Sequence, residues 1–322
     1  MASQSETRSG AGTLAFLGTP LNARIMEQLS GGPKRLVELR RESGAAPQTT
    51  VRARLKGLEE RGLMQRRGRE GAAGIAECVL TSAGEDLLVV MVALEQWLKG
   101  APDGPLAIGS DSGKMAIKAL AGGWSSTIMR YLADGPHSLG QLSKGINTVT
   151  YPTLERRLGA MRLAGQLVAT PNVGQGIPYA ATEWLQQGIA PLAAAVRWER
   201  SHAPDDTPAM TRLDTEAAFL LTLPQLRVHV ALVGSCRLGV EINDDEGLLC
   251  GAVAHVAVGK VASCTTDLQG ETDAWASGPT PAWVYAMIDT GAGRLVLGGD
   301  RKLAKAIVGG LRGTLFGADG RA

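Results

Sequence analysis

Apolar positions along the first two thirds of the chain recur at helical spacing, and they do so twice in the same order. In the first stretch Leu21, Ile25 and Leu29 form one stripe, which Gly31-Gly32-Pro33 closes as a stop signal. A short helix is predicted around residues 34–42. A longer one is predicted near 47–61, where Val51, Leu55 and Leu58 share a face and Gly62 ends the run. The period then shortens to two. MQRRGREGAAGIAECVL holds a Gly-rich turn between two strand-like runs, the pattern of a β-hairpin, and an amphipathic helix from Leu87 to Leu98 follows.

The same pattern returns at an offset of 103 residues. It carries Ile25-Met26 onto Ile128-Met129, Leu29 onto Leu132, Pro33 onto Pro136, Leu36 onto Leu139, Arg54-Leu55 onto Arg157-Leu158 and Gly62 onto Gly165. With two residues deleted, Thr81 meets Thr182 and Trp97 meets Trp198. A repeated unit of this kind sets the architecture before any single motif does. The intervening GAPDGPLAIGSDSG (100–113) has the composition of a flexible linker, and SHAPDDTPAM (201–210) that of a second one.

Beyond residue 210 the pattern changes. A helix from Thr215 to Leu223 precedes Val-rich runs with partial alternation: LRVHVALV, CRLGVEI, GAVAHVAVGKVASC, AWVYAMI and GRLVLG. The end reads as a helix capped by Asp300, with Leu303, Ile307, Leu311 and Leu315 in one stripe. The expected fold is mainly α with an added α+β part, its antiparallel sheet closed by helices. The expected division is a disordered tail at 1–13, a first unit at 14–100, a linker at 101–113, a second unit at 114–202, a linker at 203–211 and an α+β domain at 212–318.

Composition narrows the classes. With 44% apolar and 20% charged residues in 322, each part can build a core. No apolar run approaches the ~20 residues that span a bilayer, and MASQSETRSG lacks the apolar stretch of a signal peptide. No membrane partner and a cytoplasmic location are therefore expected. Cys78, Cys236, Cys250 and Cys264 form no CxxC pair and lie near no histidine at zinc-ligand spacing, which favours small buried residues over a metal or redox centre. Asp244-Asp245-Glu246-Gly247 and Gly291-Ala292-Gly293 read as turns. P-loop, HExxH and GxSxG sequences are all missing, so neither an enzyme nor a cofactor is nominated.

The net charge of +2 conceals a gradient, with +3 in residues 1–100, +2 in 101–205 and −3 in 206–322. Residues 34–69 alone hold eleven Lys or Arg against four Glu, a local field suited to a polyanion.

Helix, helix, helix, hairpin, helix is the order of a winged helix-turn-helix unit. The second copy, through GGWSSTIMRYLADGPHSLGQL, LERRLGAMRLAGQLV, GIPYAAT and Trp198, resembles the HxlR-type winged-helix regulators over about residues 114–200, and the first resembles them over 14–99. Neither copy has the cysteine ahead of the first helix that redox-sensing relatives carry. The resemblance implies two tandem modules that bind double-stranded DNA in bacterial transcription control. Such regulators dimerise, so the trailing helices with Trp97 and Trp198 point to an intrachain pseudo-dimer, with a homodimer of whole chains left open. Burial within each unit explains the two tryptophans equally well. The last region is similar to the sterol-carrier-protein-like fold, the cue being GRLVLGGD followed by a helix and Leu315-Phe316. This implies a cavity for a small, largely apolar effector.

Candidate contacts follow from the helical wheel. With Val51, Leu55 and Leu58 inward, Thr49, Arg52, Ala53 and Lys56 face out and Gln48 opens the helix, where side chains reach base edges. Arg66, Arg67 and Arg69 on the hairpin suit phosphates or the minor groove. The second copy offers Lys144, Tyr151, Thr153 and Arg156 beside an uncharged hairpin, and so a weaker grip. For the effector, Trp283, Tyr285 and Met287 are expected on one strand face, with Trp275, His255 and Arg237 as further candidates, although core packing explains each of them too. The rival classes are a carrier or enzyme that uses the winged helices for assembly, and a protein–protein adaptor.

Overall fold

The computed structural model describes residues 9–44, 46–68, 76–123, 126–133, 135–146, 149–169, 177–202, 210–241, 249–289 and 294–317. The first part runs α1 (Ala11–Leu17), α2 (Pro20–Ser30), β1 (Lys34–Arg35), α3 (Leu36–Glu42), α4 (Gln48–Glu60), β2 (Met64–Gly68), β3 (Ala76–Leu80) and α5 (Ser82–Lys99). The second runs α6 (Asp111–Gly123), α7 (Ser126–Ala133), β4 (His137–Ser138), α8 (Leu139–Gly145), α9 (Tyr151–Leu163), β5 (Leu167–Ala169), β6 (Pro178–Ala181), α10 (Glu183–Gln187) and α11 (Ile189–His202). Each part closes a small antiparallel sheet in the same order, β1-β3-β2 and β4-β6-β5.

The likeness extends to single hydrogen bonds. Thr81 and Thr182 cap their helices by accepting from the amides of Gly84 and Leu185, and their hydroxyls donate to the carbonyls of Gly62 and Gly165. Both glycines turn the chain with φ of 68° and 76°, a left-handed conformation that a β-carbon disfavours. One difference is local. The trailing helix is continuous in the first part and broken after Gln187 in the second, where Pro191 has no N–H to donate back to that residue.

The trailing helices α5 and α11 pack against each other. The Trp97 indole N–H donates to the carbonyl of Trp184, and the Trp198 indole N–H donates to the carbonyl of Ala83. One offset, 101 residues, relates Trp97 to Trp198 and Ala83 to Trp184, so the two bonds are reciprocal. The Trp184 indole also donates to the Trp97 carbonyl, and these two rings stack at 4.6 Å and 8°. Trp97 thus stacks on Trp184, while Trp198 uses its own indole on Ala83. Next to Trp198 on α11, the buried Glu199 carboxylate accepts from the Gly10 amide and the Thr13 hydroxyl, each at 2.6 Å. Residues 9–13 therefore belong to the fold rather than to the expected tail. The expected linker likewise packs: Leu106 donates its amide to the Leu98 carbonyl, and α6 already starts at Asp111.

The last part contains α12 (Arg212–Thr222), a 3₁₀ turn at Leu223–Gln225, β7 (Gly234–Glu241), β8 (Leu249–Ala257), β9 (Lys260–Thr265), β10 (Ala274–Gly278), α13 (Thr280–Val284), a π-helical turn at Tyr285–Asp289, β11 (Val296–Gly299) and α14 (Arg301–Phe316). Its sheet order is β11-β10-β7-β8-β9, with α12 and α14 packed against it. Helix α12 is buried on all sides from Asp214 to Thr222, because α7 and the sheet enclose it. Asp300 caps α14 as expected, accepting from the amides of Lys302 and Leu303.

Three expectations for this part need correction. The sheet is mixed, since β10 runs parallel to β7. LRVHVALV makes one isolated bridge, Arg227 to Lys260, beside a hydrogen bond from the Val228 amide to the Gly259 carbonyl in the β8–β9 turn. AWVYAMI is helical: Pro279 stands at the N-cap and Pro281 in the first turn, where a fixed φ favours a helix start over a strand. The acidic turn at 244–247 and the glycine turn at 291–293 lie outside the described residues.

Candidate nucleic-acid interface

Helix α4 divides its faces as its sequence requires. Val51, Leu55 and Leu58 are buried, while Gln48, Thr49, Arg52 and Lys56 are exposed together on the opposite side. Arg66 and Arg67 stand exposed on β2, next to α4. Arg69 lies outside the described residues. The structure also exposes Thr50, Ala53 and Arg54, which with Thr49 line an open concavity on the helix. Arg54 was not among the sequence candidates, because the wheel was centred on Arg52. Arg54 lies about 200° around the helix from Arg52, at the far edge of the exposed side, so its basic character rather than its wheel position is the signal for it.

The local positive field is not all available. On α3 and β1, Lys34 pairs with Glu42 at 3.2 Å, Arg41 with Glu42 at 3.3 Å and Arg35 with Glu38 at 2.8 Å. Hydrogen bonds from the Arg35 side chain and backbone pull the Glu38 carboxyl down to about 2. These cations stiffen the turn into the helix pair. Around α4 the pairing is looser. Lys56 meets Glu60 at 3.5 Å and Arg66 meets Glu59 at 3.4 Å, both on the surface, where an ion pair is worth about 0–1 kcal/mol and is readily exchanged for a phosphate. Arg52, Arg54 and Arg67 make no ion pair with another described residue. Among the described cations of residues 34–69 without an ion pair, Arg52, Arg54 and Arg67 lie on α4 and β2, while Arg40 lies on α3 and Arg61 just after α4.

The corresponding surface of the second part differs. Tyr151, Glu155, Arg156 and Lys144 are exposed, and Thr153 is half-buried, its hydroxyl hydrogen-bonded to that of Thr150 at 3.0 Å. Leu163 and Val168 add apolar side chains that are respectively 75% and 50% exposed. This surface is mixed rather than cationic.

The six effector candidates do not gather at one site. Trp283 is fully buried, donates to the Gly239 carbonyl at 2.8 Å and packs edge-on against Phe219. Being helical, Trp283, Tyr285 and Met287 share no strand face: Tyr285 stacks under Arg294, and Met287 faces inward. Arg237 and Trp275 are register partners on adjacent strands, and His255 lies exposed on β8. Of the six, Met287 borders an apolar cavity. That cavity lies where the parts meet, among Ile189, Leu192 and Val196 of α11, Met210, Ala218 of α12 and Met287. The four cysteines are free. Burial pushes the Cys236 thiol up to about 12, which fits an inert core residue. Among the described residues no cluster of His, Cys, Asp and Glu could hold a metal ion, and no helix is long and apolar enough to cross a membrane.

Residues 16–103 match the HxlR-like helix-turn-helix family. The match spans α2 to α5 and so contains α3, α4 and both strands of the hairpin. It supports a DNA-binding regulator of transcription. No curated protein matches the chain.

Proposed function

We propose that this chain is a cytoplasmic, ligand-responsive DNA-binding regulator of transcription. Two tandem winged-helix units would form a pseudo-dimer within one polypeptide, followed by a sterol-carrier-protein-like unit that senses a small apolar molecule. The observation that carries the proposal is the exposed cationic face of α4 and β2 on an HxlR-like scaffold. Gln48, Thr49, Arg52 and Lys56 would enter the major groove, while Arg66 and Arg67 would hold phosphates. The reciprocal bonds of Trp97 and Trp198 support the pseudo-dimer. In a two-fold contact residue i meets j while its copy meets the copy of j.

The effector site is proposed at the junction cavity rather than on the strand face first expected. Its walls are almost wholly apolar, with methionines that repack easily. As folded its free volume is about 20 Å³, room for one water-sized molecule. A larger ligand must part α11 from the C-terminal unit. Because α11 also packs on α5, entry would shift the arrangement of the two recognition helices and so their fit to DNA.

One titration series tests both halves of the proposal. Genomic fragments are bound by the full chain and its variants in a gel-shift assay, with and without an apolar fluorescent probe, anilinonaphthalene sulfonate. Arg52→Glu is expected to weaken binding roughly ten- to a hundredfold and Arg156→Glu less than about threefold. The bound probe should be released as DNA is added, by the reciprocity of linked equilibria. Equal losses in the two variants would reject α4 as the main reader. Probe affinity indifferent to DNA would reject the allosteric half.

A further inference from the structure

The two units share one frame and present unlike surfaces to whatever the frame meets. At the offset of 103, Tyr151 stands where the first unit has Gln48, Pro152 for Thr49, Glu155 for Arg52, Gly159 for Lys56 and Ala169 for Arg66. The first of these units keeps its cations on the exposed arc. The second has at the same places a proline without an N–H, a carboxylate that repels phosphate, and a glycine without a side chain. The backbone likeness is nevertheless close, from the matched sheets to the matched threonine caps and glycine turns. The asymmetry is therefore one of side chains, not of shape.

A symmetric homodimer must read an inverted repeat, because identical helices meet both half-sites. Fusing the two units in one chain removes that requirement and lets each half diverge. We propose that the DNA recognised by this chain is a non-palindromic duplex engaged by a single chain. Its sequence information lies in the half met by α4, and the other half is held through phosphates by Lys144, Arg156 and Arg162. All three cations are exposed, and none forms an ion pair with another described residue. The inference rests on the DNA-binding reading and adds to it the class of site.

The test is selection of the full chain on a pool of random-sequence duplexes, followed by sequencing and by the mass of the complex on the selected duplex. The expected result is a motif confined to one half, with one chain per duplex. Scrambling that half lowers affinity at least about tenfold, and scrambling the other half less than about threefold. Recovery of an inverted repeat, or two chains on one duplex, overturns the proposal and leaves DNA binding intact. Failure to enrich any duplex overturns both. A grafted chain with Tyr151→Gln, Pro152→Thr, Glu155→Arg and Gly159→Lys is expected to select a second, mirrored half-site. If it keeps its circular dichroism spectrum but returns the one-sided motif, these four positions are not the cause of the asymmetry and the assignment fails. If it does not fold, the wild-type selection still decides.

Discussion

The first and second units, whose small sheets share one order, differ in what their surfaces carry. Kept are the positions that set the backbone: the apolar stripe of α4 in Val51, Leu55 and Leu58 has its counterpart in Leu154, Leu158 and Met161 of α9, all buried. Changed are the exposed positions of the same helices, where substitutions cost little stability. The second unit changes in another respect as well. Arg130, at the place of Glu27, reaches the buried Glu216 of α12, so the C-terminal unit docks through α7. The first unit carries cations on its exposed helix, and the second adds the contact on which the C-terminal unit docks.

The largest expected effect comes from the helix pair that joins them. Trp97 is buried, stacked and doubly hydrogen-bonded to Trp184, whereas Trp198 is half-buried and makes one bond to Ala83. Trp97→Ala should destabilise the chain by about 3–5 kcal/mol, as large aromatic truncations in cores do. Trp198→Ala should cost no more than about 2 kcal/mol, within the ordinary range for a partly exposed site. Urea denaturation followed by circular dichroism measures both. Equal costs would mean that the stacking and the second hydrogen bond of Trp97 add no stability.

A smaller effect distinguishes the unit that docks. Glu216 is buried among Arg130 of α7, Arg212 of its own helix, and Cys250 and the Gly251 amide of β8. One carboxylate oxygen accepts from Gly251 at 3.1 Å. The other lies 3.1 Å from Arg130 Nε without an aligned hydrogen bond. Burial outweighs these partners and raises the carboxyl above its ordinary range. The folded chain then binds this proton more tightly than the unfolded chain. Stability from this group is therefore fully present below the ordinary value of about 4.3 and is lost as pH rises through the raised one. Compared with wild type, Glu216→Gln should gain relative stability with rising pH and then level off. A difference that runs the other way would show that Arg130 dominates and that the docking contact is a strong ion pair.

How much of this was legible in the chain depends on the range of the contact. The repeat, the two faces of α4, the hairpin strands and the Asp300 cap are all local patterns, in which neighbours three or four residues apart carry the signal. AWVYAMI misled because its side chains favour strands, while the decisive residues are the prolines before it. The parallel pairing of β10 with β7 depends on partners 38 residues apart, as Ala274 with Cys236, and leaves no periodicity to read. The stacking of Trp97 on Trp184 belongs to the same kind, since alignment of the repeats pairs Trp97 with Trp198 instead. The junction cavity needs three parts of the chain at once, and for that reason only Met287 among the six effector candidates borders it.

The smallest expected effect tests the part that both units keep. Thr81 and Thr182 occupy equivalent N-caps, each accepting from an amide three residues on at 3.2 Å and each donating to the carbonyl of a left-handed glycine. Loss of such a cap costs about 1 kcal/mol. Thr182 also donates to the Gln166 carbonyl at 2.9 Å, but a hydroxyl has one proton, so the second carbonyl shares the bond rather than adding one. Thr81→Ala and Thr182→Ala should therefore cost the same to within a few tenths of a kcal/mol in urea denaturation. Neither should alter DNA binding by more than about twofold, since neither hydroxyl lies on the exposed arc of α4 or α9. A clear excess for Thr182 would mean that docking of the C-terminal unit has transferred load onto the second scaffold. The two units would then differ in energetic role as well as in surface.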